Sequence, residues 1–267
     1  MDVSDAPRVP ADRALWWRWF GTVTLGEFAG FSVPAVVGAV TAEAPATVAV
    51  AAVVAAGAVE GAMLGWAQAS VLVRVLPGLR AGRWIVATAC GAVLAYVVGM
   101  SPSAAAELGL PASVLIGLAP VLALVLLLSI GTAQWLVLRR IVRRSAGWIA
   151  VTALAWTVGL GVFLAFSMPL WHPGQATTTI VAIGVAGGLL MAATTSAITG
   201  FGVRNMTGRV AASASSAPTR RQQPSSNLRR STRENFGSAE HREGVAGTNP
   251  GRRPGSVDPD RTEGARR

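Results

Sequence analysis

Apolar residues run through this chain in blocks too long and too uniform for the 3.6-residue stripe of a soluble amphipathic helix, and polar positions gather between the blocks. Six blocks read as membrane-spanning helices, at about 17–41, 46–73, 83–101, 111–138, 147–169 and 178–203. Each is close to or beyond the roughly 18–20 apolar residues that cross a bilayer core at 1.5 Å per residue. A soluble protein of this size would bury helices of about 11–12 residues with one polar face. The expected fold is therefore all-α: a cytoplasmic N-terminal segment over 1–14, a six-span helical bundle over 15–203, and a disordered tail over 204–267.

Charge changes this picture by orienting it. Arg8, Arg13 and Arg18 precede the first span, Arg74, Arg80 and Arg83 lie between the second and third, and Arg139, Arg140, Arg143 and Arg144 lie between the fourth and fifth. The alternate loops hold only Glu43, Glu107 and His172 as titratable groups. Arginine thus alternates sides over six crossings, which predicts a multi-pass plasma-membrane protein with both termini cytoplasmic. Trp16, Trp17, Trp19, Trp84, Trp135 and Trp148 cluster at the same ends and are expected to anchor at the headgroup level. A cleaved leader is a poor fit, although Ala44-Pro45-Ala46 has small residues at cleavage spacing. The first apolar run is too long, holds Glu27, and follows a long tryptophan-rich leader.

One stretch is written twice. Gly65, Ala67, Gln68, Val71, Leu72 and Arg74 fall on Gly131, Ala133, Gln134, Val137, Leu138 and Arg140 at an offset of 66. After an arginine-rich loop two residues shorter in the second copy, Trp84-Ile85 and Thr88-Ala89 fall on Trp148-Ile149 and Thr152-Ala153. The repeated unit is a helical hairpin. Trp19 precedes Gly26 by seven residues, as Trp84 precedes Gly91 and Trp148 precedes Ala155. The first and sixth spans would then be halves of a third hairpin, predicting a pseudo-threefold ring in which the last helix packs beside the first. This pattern of Gly-x-x-Gln, Leu-Val-Leu-Arg and Trp-Ile-x-x-Thr-Ala resembles uncharacterised bacterial polytopic membrane proteins built from such hairpins. The resemblance covers roughly residues 15–203; the first copy departs from it with Ala69-Ser70 where the second has Trp135-Leu136. It implies a helical membrane fold and carries no catalytic residue.

Gly57, Gly61 and Gly65, Gly26 and Gly30, and Gly184 and Gly188 are spaced to line helix seams. The candidate polar site is Glu27, Glu60, Gln68 and Gln134. Glu27 and Glu60 fall at similar depth, and no lysine or arginine accompanies them there. A carboxylate in hydrocarbon without a cation favours its neutral form, more so beside a second one. Thr24, Gln68 or a backbone carbonyl are the expected partners, with a wet cavity or proton exchange as the functional alternative. Gln68 and Gln134 are expected to hydrogen-bond between helices.

The chain lacks the inventory of an enzyme. It has two histidines, His172 and His241, and no lysine; no zinc-protease, nucleophile-elbow or phosphate-loop motif occurs, and no metal or cofactor is expected. Cys90 is expected to be a packing residue. From Arg204 onward, 13 arginines oppose 6 acids, a net of +7. That excess predicts attraction to anionic lipids, and Phe236 is the one Phe, Trp or Tyr among its Arg-Arg pairs, too few for the repeated stacking that nucleic-acid binding uses. The expected function is that of a structural or regulatory membrane module; the alternative is a small proton- or cation-coupled transporter or channel-like protein using the intramembrane carboxylates.

Overall fold

A computed structural model describes residues 9–107 and 109–215. These form six helices and no strand: α1 Val9–Val40, α2 Ala46–Val75, α3 Ala81–Glu107, α4 Ala112–Leu138, α5 Gly147–Ser167 and α6 Thr177–Ser215. All six are long and apolar enough to cross a membrane. The expected bundle is thus observed, with two shifts at its ends. α1 begins before residue 15, and α6 continues through Arg204 to Ser215, so the first part of the expected tail is helical. A chain leaving the bilayer need not break its helix, since backbone hydrogen bonds within the segment serve in either medium. Residues 1–8 and the tail beyond 215 lie outside the described residues.

Proline sets two of the starts. α2 and α4 open directly after Pro45 and Pro111, both extended at ψ 138, where a missing N–H is no loss. Pro34, Pro102 and Pro120 lie inside helices, as membrane spans tolerate. Hydroxyls within the apolar segments donate back to their own helix, Ser32 to Phe28 O at 2.9 Å and Thr157 to Ala153 O at 2.8 Å.

Each helix packs on its chain neighbours, and α6 closes onto α1. Facing pairs run in opposite directions along every seam, so neighbours are antiparallel. Gly26 meets Ala67 while Gly30 meets Glu60, and Gly57 meets Tyr96 while Gly65 meets Thr88. Glycines at the expected stripes permit this approach. Gly184 is the exception, with nothing within 4 Å of where its Cβ would sit; Gly187 and Gly188 instead face Phe163 and Phe31. The outer surface presents Leu25, Val86, Ile116 and Leu154, as a lipid-facing wall requires.

Candidate functional site

The bundle interior carries polar layers in an otherwise apolar ring. At the arginine-bearing end stand three indoles, Trp19 from α1, Trp84 from α3 and Trp148 from α5, with 0%, 0% and 4% of their surface exposed. Trp148 lies 6.3 Å from Trp19 and 6.1 Å from Trp84 between ring centroids. The expectation that all six tryptophans anchor at the interface is thereby corrected. Trp17 is exposed and Trp135 half-buried under Arg139 at 5.2 Å, whereas these three fill the core. Their N–H groups are the reason. An indole N–H can only donate, and in hydrocarbon it needs an acceptor. Trp84 Nε1 donates to Gln68 Oε1 at 3.1 Å, Trp148 Nε1 to Gln134 Oε1 at 2.8 Å, and Trp19 Nε1 to Thr199 Oγ1 at 3.0 Å.

Those bonds fix both amide orientations. With Gln134 Oε1 accepting from Trp148, its Nε2 faces the neighbouring glutamine and donates to Gln68 Oε1 at 2.7 Å and to Thr88 Oγ1 at 3.0 Å. The Thr88 hydroxyl donates onward to Trp84 O at 2.9 Å. The structure thus joins Gln68 and Gln134, the repeated pair, in one buried network spanning α2 to α5. α6 has no glutamine at this level. Thr199 accepts from Trp19 and donates to Thr195 O at 2.8 Å, and the buried hydroxyls of Thr152, Ser196 and Thr24 have no partner.

One layer further from the tryptophans lie the two carboxyls, 2% and 5% exposed. Each takes a partner that sequence reasoning missed. Thr195 donates to Glu27 Oε1 at 2.6 Å from α6, and Tyr96 donates to Glu60 Oε2 at 2.5 Å from α3. Thr24, an expected partner, is not used. Glu27 and Glu60 therefore share the α1–α2 seam but bond away from each other; Glu60 Cγ lies 3.3 Å from where a Cβ on Gly30 would stand. Thr195 has one proton and three acceptors in reach, Glu27 Oε1, Met191 O at 3.0 Å and Ala192 O at 3.1 Å. A neutral Glu27 supplies that cluster with a second proton; an ionised one does not.

Tyr96 reaches Glu60 by lying across Gly57, where any Cβ would collide with the phenol ring. Gly57→Ala should therefore displace the phenol, and Tyr96→Phe should remove only its hydroxyl. We expect Tyr96→Phe to destabilise the bundle by about 1–2 kcal/mol, as a charge-assisted or strong buried bond would, measured by thermal unfolding in lipid. An unchanged midpoint would mean that Glu60 is held by something else.

Beyond Glu60 an axial cavity of about 200 Å³ opens, with walls from all six helices, among them Phe31, Tyr96, Leu126, Trp156 and Met191. Cys90, expected to pack, is instead exposed on the outer face of α3, and His172 is exposed in the α5–α6 connection. Among the described residues no three His, Cys, Asp or Glu side chains cluster as a metal site. Comparison of the chain with protein-family models, curated proteins and solved structures returns no match.

Proposed function

We propose that this membrane protein is a non-enzymatic structural or regulatory module whose axis is held shut at the arginine-bearing end. The observation that supports this most directly is the buried tryptophan triad resting on the Gln68–Gln134 network. It fills the bundle interior there with buried rings, and its hydrogen bonds hold three helical pairs in one arrangement. We further propose that three copies of one hairpin build the ring. The tryptophan donors of α3, α5 and α1 each bond the helix that precedes them around the ring, to Gln68 of α2, Gln134 of α4 and, in place of a glutamine, Thr199 of α6. The loop charges support a plasma-membrane protein whose arginine-bearing end faces the cytoplasm, where Arg143, Arg144 and Arg209 around a pocket of about 350 Å³ would face anionic headgroups.

Proteoliposomes carrying an internal pH dye are expected to dissipate an imposed proton or potassium gradient no faster than empty vesicles. Flux above that baseline, lost in Glu60→Gln, would replace this reading with the transport one. That second reading draws on a single feature, the placement of Glu60 in the wall of an axial cavity.

A further inference from the structure

The axial cavity is built like a ligand site, and its chemistry narrows the ligand. Its walls are apolar and aromatic, with Phe31, Tyr96 and Trp156 turned to it, and Glu60 is its one acidic lining residue. Tyr96 satisfies only Oε2 of that carboxyl; among the described residues no group donates to Oε1. The chain supplies no counter-charge either, since no arginine, lysine or histidine occurs between Arg18 and Arg74, between Arg83 and Arg139, or between His172 and Arg204. We propose that this cavity binds a small organic monocation with an apolar body, an alkyl- or arylalkylammonium, with its ammonium on Glu60 Oε1 and its body among the aromatic walls.

Competing chemistries fit less well. An inorganic divalent cation takes about six to eight oxygens, and Glu60 and Tyr96 offer far fewer. An anion meets a carboxyl and no cation. A drug-sized molecule fills about 300–1,000 Å³, more than the about 200 Å³ present. An ammonium brings what the site lacks, a positive donor for the free carboxyl oxygen and a charge that aromatic faces attract. The buried tryptophan triad lies on the arginine side of Glu60, whereas Gly99, Met100 and Leu126 line the cavity toward the other end, so entry is assigned to that end. This site stands whether the module regulates or transports.

The test uses the full chain in nanodiscs with 4-fluorophenethylammonium as the probe, followed by fluorine NMR line broadening and equilibrium dialysis against empty nanodiscs. Empty discs subtract partitioning into lipid. Saturable binding is expected, weakened at least about tenfold by Glu60→Gln, with the neutral analogue 2-(4-fluorophenyl)ethanol weaker by a similar factor. A second variant, Gly99→Leu, fills the cavity without touching the carboxyl; a Cβ at Gly99 would meet only Leu126 Cδ1 at 3.5 Å. It should abolish binding while the unfolding midpoint stays in place. Three results each overturn the proposal: no saturable excess over empty discs, equal binding of the alcohol, or full binding by Gly99→Leu.

Discussion

Gln134→Leu is expected to remove about 3 kcal/mol of stability, read as a lower midpoint in denaturant titrations of the lipid-reconstituted protein. The side chain sits at the centre of the network, accepting from Trp148 and donating to Gln68 and Thr88. Leucine fits the volume but leaves the Trp148 N–H buried with no acceptor, which costs about 1–3 kcal/mol. Two further interhelical bonds go with it, each worth about 0.6 kcal/mol in membranes. Gln68 and Thr88 keep their bonds to α3, so the loss should be large without being total. A Trp148→Phe background separates the parts. With no N–H to orphan, Gln134→Leu should then be milder by at least about 1 kcal/mol. Purely additive effects would show that the indole N–H finds another acceptor, and the network would have to be redrawn.

Gly61→Leu should be comparably damaging, for a steric reason. A Cβ at Gly61 would stand 2.6 Å from Ala92 Cβ, 2.8 Å from Ala89 Cα and 3.0 Å from Thr88 O. Backbone cannot step aside as a flexible side chain can. α2 and α3 would have to separate, pulling Trp84 from Gln68 and Tyr96 from Glu60 on either side of the wedge. Overpacking alone costs about 1–3 kcal/mol, and the two polar contacts add to it. Gly184→Leu is the matched control, because nothing lies within 4 Å of its Cβ position. It should leave the midpoint in place. Equal effects at the two positions would mean that leucine acts through the helix itself rather than through the seam.

The spans, their alternation and the glycine seams of α1 and α2 were legible in the chain because bilayer thickness and close backbone approach each leave a simple mark in sequence. What lay inside the ring was legible only in part. Hydropathy cannot tell a lipid-facing residue from a core-facing one, since both surroundings are apolar. Trp19, Trp84 and Trp148 therefore read as interfacial anchors like Trp17, and Cys90 as packed. The duplicated stretch did hold the missing signal, for it carries Gln68 with Trp84 and Gln134 with Trp148 in the same order. Opposed helices of one hairpin bring such residues level when their distances from the turn match. Tyr96 and Thr195 left no comparable trace. Their bonds to Glu60 and Glu27 depend on rotation of α3 and α6 about their own axes, which no spacing along α1 or α2 encodes.

The tryptophan triad also makes the two faces of the membrane unequal for anything that reaches Glu60. A well with a floor admits and releases its contents by the same mouth. With the triad as a floor, an occupant would act on the opposite side by moving the helices that carry it, α1, α3 and α5. On the regulatory reading proposed above, occupancy would become a mechanical message delivered at the arginine loops.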